Sequence, residues 1–149
     1  MKLALLISMV AVSCTFAAKV PISVDATIKC GHPFKSIIRV FEIDWSKHDY
    51  VGGNGIYAIE NYPEPVHKYS FKGVAEDPFY QSEVEPLLIL WHTCGGGSAC
   101  LCKELGDLSK EFHLNLDVDL RDAKSMSQFR YCEKSCRSII IDPSLKGTM

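Results

Sequence analysis

The chain has 149 residues, of which 47% are hydrophobic and 23% are charged, and its formal net charge is −2. A chain of this length forms one domain and leaves no room for a separate cofactor domain, which excludes large multidomain enzymes. With 16 basic and 18 acidic residues and no run of like charge, it has no electrostatic footprint for nucleic acid or for an anionic membrane surface.

The N-terminal segment has the pattern of a secretory signal peptide. Lys2 gives a basic start, Leu3 to Val12 is almost wholly apolar, and Thr15 and Ala17 are small residues before a cleavage point. An apolar run of about 10 to 15 residues is shorter than the roughly 20 that a transmembrane helix needs. We therefore predict a signal peptide over residues 1–17, a secreted domain over residues 18–149 and no transmembrane segment.

Apolar and polar residues alternate with a period of two along much of the remaining chain, which predicts half-buried strands. Seven short strands at regular spacing indicate an all-β sandwich with little helix. Residues 44–50 are predicted as a polar loop, and helical signal is confined to a turn or two within 99–108 and to the linker 125–136. The predicted strands are 22–30, 36–43, 56–60, 67–74, 86–91, 112–120 and 137–141.

The strand at Leu87–Trp91 is apolar on both faces. Such a strand is typical of the centre of a sheet or of a surface that another subunit covers. The sequence alone does not separate these two interpretations, and it leaves the oligomeric state open.

Cysteine is the unusual component of the composition, since the chain carries seven. Removal of the signal peptide takes Cys14 and leaves an even number, which in an oxidising compartment predicts three disulfides. The sequence leaves their pairing open. The six mature cysteines are Cys30, Cys94, Cys100, Cys102, Cys132 and Cys136.

The stretch from Pro86 to Cys94 resembles the P-x-L-x-I-x-H-x-C motif of the nematode transthyretin-like proteins. Tyr69–Gly73 is similar to the aromatic-x-aliphatic-x-glycine segment of that family. Cys100 and Cys132 stand where the third and fourth cysteines of the family do. The resemblance covers about Ile22 to Cys132.

The sequence departs from the family pattern at a few positions. Ala26 and His67 stand where the family usually has glycine, and Cys102 and Cys136 look like additions to the family's cysteines. The two added cysteines are candidates for an extra bridge to each other.

The resemblance implies a seven-stranded β-sandwich of transthyretin (prealbumin) type, secreted to the extracellular region and without a cofactor. It implies a binding or recognition role at cell surfaces and not thyroid-hormone transport. The partner is an extracellular protein or a cell-surface ligand, and whether that ligand is a receptor, a lipid or another component is left open.

Two aromatic-rich loops are the candidate recognition surface, because large exposed rings are favoured at interfaces. Their residues are Trp45, His48, Tyr50, Phe79 and Tyr80.

His92 and Cys94 invite a catalytic interpretation, since a histidine beside a thiol can form a nucleophilic pair. In a secreted protein, we instead expect Cys94 in a disulfide and His92 hydrogen-bonded to the adjacent loop. The 5-hydroxyisourate hydrolases resemble transthyretin, but this chain ends Lys146–Met149 and lacks their tyrosine-arginine-glycine-serine tail. We predict that the protein is not an enzyme.

The alternative to a recognition protein is a carrier of zinc or of a small ligand. The cysteines of 94–102 and 132–136 could supply four thiolates to Zn²⁺. The polar row His113, Asn115, Asp117 and Asp119 could hold a hard cation but is interpreted as a solvated strand face. We predict no metal and no cofactor.

Overall fold

The computed structural model describes residues 18–43, 48–52, 55–56, 64–77 and 82–132. Within these ranges the chain is almost entirely β-structure in two sheets, which confirms the all-β prediction. The predicted signal peptide, Cys136 and the predicted strand 137–141 lie outside the described residues.

The elements, in chain order, are β1 (Ala18–Lys29), β2 (Ser36–Ile43), β3 (His48–Gly52), β4 (Gly55–Ile56), β5 (Val66–Asp77), β6 (Pro86–His92), β7 (Ala99–Glu104), β8 (Phe112–Asp119), α1 (Ala123–Met126) and β9 (Arg130–Tyr131).

The three-stranded sheet has the order β5-β1-β8. Its central strand, β1, is antiparallel to β5 and parallel to β8. β1 contains Pro21, which has no N–H to give to a sheet ladder. Pro21 is paired with β5, but pairing with β8 begins only at Ile22. Pro21 therefore lies where β1 has a neighbouring strand on one side only.

The six-stranded sheet has the order β3-β2-β6-β7-β9, with β4 also paired to β2. β6 is antiparallel to both β2 and β7. This confirms that the doubly apolar segment Leu87–Trp91 is central in its sheet. Its two faces serve two clusters, because Leu88 and Leu90 belong to the main core while Leu87 and Ile89 belong to a second one.

The main core contains the inward-facing residues of both sheets. Val24 and Ile28 of β1 lie in one cluster with Ile38 of β2 and with Leu88 and Leu90 of β6, and all five are fully buried. Alternation along each strand produces this arrangement, since every second side chain points to the same face. At about 25 cal/mol per Å² of apolar area, such burial is the main stabilising contribution to folding.

The helix predicted within 99–108 is wrong, because Ala99–Glu104 forms β7. Cys100, Leu101 and Cys102 are three consecutive buried residues, so this segment shows no period of two. The segment forms a strand because it pairs with β6 from Leu87 to His92.

The loop predicted for 44–50 is also wrong in part, because β3 begins at His48 and pairs with β2 in a hairpin. In the described part of the predicted linker 125–136, which ends at Cys132, helical structure is limited to the last two residues of the single turn α1. The strand prediction for 36–43 is confirmed residue for residue, and β8 matches its prediction to within one residue. β1 and β5 are longer than predicted.

Candidate functional site

The predicted aromatic recognition surface lies only partly within the described residues. His48 and Tyr50 have described backbones in β3, opposite Ile43 and Phe41 of β2. Trp45, Phe79 and Tyr80 lie outside the described ranges. Nothing in the described part of the chain tests this surface, which remains a prediction.

The interior contains a polar group that the sequence analysis did not predict. Ser36 Oγ lies 2.6 Å from His67 Nδ1, and the Tyr69 hydroxyl contacts the same Oγ. The Tyr69 hydroxyl also donates to the Ser36 carbonyl at 3.0 Å. His67 and Tyr69 meet one partner because they are two residues apart on β5 and so share a face.

Burial keeps this group uncharged near neutral pH. It lowers the pKa of His67, an effect that the negative charge of Glu64 partly offsets. Burial also raises the pKa of Tyr69 to about 12. The His67 ring stacks on Phe34, with ring centroids 4.2 Å apart. A serine beside a neutral histidine resembles a nucleophile and its base, but Ser36 is 0% exposed.

His92 is buried on the inner side of β6 and has no hydrogen-bond partner for either ring nitrogen among the described residues. The expectation that it bonds to the adjacent loop is therefore wrong. Burial lowers its pKa, so the neutral ring is favoured.

The thiols that the alternative functions need are already oxidised. Cys94 is bonded to Cys30, which confirms the expected disulfide and removes the nucleophile from the His92 and Cys94 pair. Cys30, His32 and Cys94 have potential ligand atoms within 4.8 Å of one another. Two of those atoms are disulfide sulfurs, and zinc is bound by thiolates.

A second group of sulfurs lies on the outer side of the six-stranded sheet. Cys102 is bonded to Cys132, so the pairing suggested for Cys102 and Cys136 is wrong. Cys100 is also disulfide-bonded. Cys100 Sγ lies 3.6 Å from Cys132 Sγ, so sequence spacing alone could not distinguish between the two possible partners of Cys132.

The outer face of the three-stranded sheet is polar and holds a second histidine and hydroxyl contact. Ser23 Oγ lies 2.7 Å from His113 Nδ1, and His113 Nε2 lies 3.4 Å from Asp25 Oδ2. The parallel register of β1 and β8 produces this contact, since Ser23 is opposite His113. Both His113 and Asp25 are more than half exposed.

Carboxylates in the predicted cation row already have cationic partners. Asp117 Oδ1 lies 2.7 Å from Lys29 Nζ. Asp119 accepts two hydrogen bonds from the Arg121 guanidinium, at 2.9 and 2.7 Å, and these bonds lower its pKa to about 2. The two carboxylates of the row are therefore ion-paired on a solvated face, which agrees with the preferred interpretation.

A shallow depression of about 310 Å³ opens on this polar face. It presents one ammonium and one carboxylate together with hydroxyl and amide groups, which suits a polar ligand with both hydrogen-bond donors and acceptors. Alternation predicted that Asp25, Thr27 and Asn115 face outward, but their meeting depends on the strand order, which the sequence does not show. Ala26 and Tyr69, which also line the depression, belong to the core. The lining residues are Asp25, Ala26, Thr27, Lys68, Tyr69, Ser70 and Asn115.

These features define a disulfide-bridged, all-β protein of two sheets with a polar depression on the smaller sheet. No protein-family model matches the chain. No curated protein matches it closely enough to count as a relative. Among the described residues, no helix is long and apolar enough to cross a membrane.

Proposed function

We propose that the protein is a secreted binding or recognition protein of the transthyretin-like family, without catalytic activity. The observation that carries the proposal is the oxidised state of its cysteines. Cys30 bonds to Cys94, Cys102 bonds to Cys132, and Cys100 is also bonded. Disulfides of this kind form and persist in secreted and extracellular proteins and are rare in the cytosol. The signal-peptide pattern at the N-terminus supports the same compartment.

The strand lengths support a sandwich of transthyretin type. Nine strands occur in the described residues, but β4 and β9 are two-residue segments that pair only with β2 and β7. The seven longer strands are the number that the family resemblance implies. They form two sheets whose inward side chains share one core.

The depression on the three-stranded sheet is the binding surface in this proposal. Asp25 and Lys68 provide opposite charges, and Asn115 provides an amide, so the surface offers partners to the charged and hydrogen-bonding groups of a ligand. A cell-surface component that carries hydroxyl and charged groups has this chemistry. The aromatic loops remain a second predicted contact region for a larger partner.

Binding to intact cultured cells tests the proposal. Fluorescently labelled mature protein is titrated onto the cells, and saturable binding is expected. Lys68→Glu reverses the charge in the depression and should weaken binding by at least about tenfold, because a hydrogen bond to a charged group contributes roughly 1.5–3 kcal/mol.

The matched control is Lys110→Glu, which makes the same charge change at an exposed position outside the depression. This control should bind as the unaltered protein does. Binding that does not saturate, or equal loss in both variants, would contradict a specific site in the depression.

The hydrolase alternative has its own test. The mature protein is added to 5-hydroxyisourate, and the rate of decay is compared with the spontaneous rate. We expect no acceleration from a recognition protein without catalytic activity. Acceleration that depends on protein concentration would overturn the non-catalytic assignment.

A further inference from the structure

The disulfide between Cys30 and Cys94 has a histidine beside it. Cys30 directly follows β1, and Cys94 lies two residues after β6. His32 Nε2 lies 3.4 Å from Cys30 Sγ, and His32 Nδ1 lies 3.7 Å from the same atom. The ring therefore has a nitrogen close to the sulfur whichever of the two carries the proton. The binding function proposed above does not use this contact.

The bend after β1 places the histidine there. Gly31 has a positive φ of 76°, a conformation that glycine adopts readily, and it lets the chain bend between the cysteine and His32. The Arg121 guanidinium also lies against Gly31, but it is ion-paired with Asp119. His32 is therefore the group that this bend offers to the sulfur as a proton donor.

The two bonded cysteines differ in exposure. Cys30 is 0% exposed, whereas Cys94 is partly exposed. Gly95 and Gly96 follow Cys94 and are exposed, and an added Cβ at either glycine would meet no described atom within 4 Å. There is thus open space beside Cys94. A thiolate from solution reaches the Cys94 sulfur more readily than the Cys30 sulfur, and exchange depends on such access.

We propose that Cys94 is a modification site for low-molecular-weight thiols, which open the Cys30–Cys94 disulfide by exchange. The incoming thiolate attacks Cys94 Sγ and forms a new S–S bond, and the old bond breaks with its electron pair leaving on Cys30 Sγ. His32 donates its N–H to that sulfur as negative charge develops. A second thiol then attacks the mixed disulfide and releases Cys94.

The overall reaction is balanced. Two external thiols are oxidised to one disulfide, and Cys30 and Cys94 are reduced to thiols. The two protons that the external thiols lose end on the two cysteines. Opening this disulfide removes a covalent link between the end of β1, in the three-stranded sheet, and the segment after β6, in the six-stranded sheet.

The histidine makes this disulfide different from the one between Cys102 and Cys132. A cysteine leaves faster when its thiolate is stabilised, and an adjacent histidine provides that stabilisation. The Cys102–Cys132 disulfide has Cys100 Sγ beside it, 3.6 Å from Cys132 Sγ. Cys100 is itself oxidised, so its sulfur has no proton to donate. We therefore expect exchange to be faster at Cys30–Cys94.

Reaction of the mature, fully disulfide-bonded protein with glutathione tests the proposal. Samples are quenched with acid at intervals, free thiols are alkylated, and the modified peptides are identified by mass. We expect glutathione on Cys94 and a free thiol on Cys30, formed at least about threefold faster than the Cys102–Cys132 disulfide opens. Glutathione on Cys30 instead, or equal rates for the two disulfides, would overturn the proposal.

His32→Ala tests the role of the histidine. It removes the proton donor at an exposed position and should slow the opening of Cys30–Cys94 by at least about threefold, with the Cys102–Cys132 rate unchanged. A variant that is merely less stable would open its disulfides faster, so slower opening separates the two effects. His113→Ala is the matched control, because it removes an exposed histidine that lies opposite Ser23. The control should leave both rates unchanged, and an unchanged Cys30–Cys94 rate in His32→Ala would contradict the proposal.

Discussion

Ser36 and His92 are directly opposite each other on β2 and β6, yet only Ser36 has hydrogen-bond partners. Ser36 bonds to His67 and Tyr69, whereas both ring nitrogens of His92 have no partner among the described residues. The interior thus holds two buried histidines in different circumstances. The His67 ring contacts the Ser36 hydroxyl, which also contacts Tyr69. The His92 ring is buried, and its nitrogens have no hydrogen-bond partner among the described residues.

Both histidines predict a loss of stability in mild acid. Burial lowers the folded-state pKa of His67 and of His92 below the ordinary histidine value of 6.5. Between the lowered values and 6.5, the unfolded chain binds more protons than the folded one, so stability present above 6.5 falls as pH falls. The slope is at most about 1.4 kcal/mol per pH unit for each histidine. Urea unfolding at pH 7 and pH 5 measures it.

Substitution of His92 separates its contribution from that of His67. His92→Leu replaces an unbonded buried imidazole with an apolar side chain, which is close to neutral or stabilising at pH 7. The dependence of unfolding free energy on pH should become shallower, with the His67 contribution left in place. An unchanged slope in this variant would show that folding does not shift the pKa of His92.

Ser36 should be important for stability, although it is a small side chain. Ser36→Ala leaves His67 Nδ1 without its 2.6 Å contact in a buried site and should cost about 1–3 kcal/mol of unfolding free energy. Ser109→Ala makes the same change at an exposed position and should cost less than about 0.5 kcal/mol. Chemical denaturation of both variants makes the comparison, and equal costs would argue against a stabilising role for the Ser36 contact.

The disulfide between Cys30 and Cys94 joins the end of β1 to the segment after β6, and therefore links the two sheets. It spans 64 residues, whereas the Cys102 to Cys132 disulfide spans 30 and stays within the β7 region. Removal of either by paired alanine substitution should cost about 2–5 kcal/mol. Loop-closure entropy makes the longer one worth about 0.7 kcal/mol more. Thermal and urea unfolding of the two variants measure these costs. A larger cost for removal of the Cys102 to Cys132 disulfide would contradict the prediction.

Gly31 has a positive φ of 76°, and an added Cβ would lie 2.7 Å from Arg121 Cζ. Gly96 has a similar φ of 84° but no atom within 4 Å of an added Cβ. Both Gly31→Ala and Gly96→Ala should cost about 1–2 kcal/mol for backbone strain, and Gly31→Ala should cost more because Arg121 must move.

The comparison is repeated in an Arg121→Ala background, which removes the obstructing side chain. There the two glycine substitutions should have equal cost in urea unfolding. If the excess cost of Gly31→Ala persists in that background, the contact with Arg121 is not its cause.

Sequence reasoning predicted the strands with a long alternation or a long apolar run. Phe112–Leu120 alternates over nine residues, and the corresponding strand ends at Asp119. β7 was not predicted, because its three central residues are all apolar and do not alternate, and because its formation depends on pairing with β6. Pairing with a neighbouring strand determines the secondary structure of such short segments, and the local sequence does not predict that pairing.

The polar sites were harder to predict than the strands. Ser36, His67 and Tyr69 are 31 and 33 residues apart in sequence, and they meet because β2 and β5 lie in facing sheets. Ser23 and His113 meet because β1 and β8 are parallel neighbours, although 90 residues separate them. Alternation assigns a side chain to a face, but only strand order decides which residues on that face become neighbours.

The central claim is that the protein is secreted and disulfide-bridged, and the most direct test is the intact mass of protein collected from the medium of expressing cells. Spectra are recorded with and without reduction. We predict an N-terminus at Ala18, a gain of two hydrogens per bridge on reduction for three bridges, and no bound metal. Retention of Met1 with free thiols, or thiolate-bound zinc in the native spectrum, would contradict the claim.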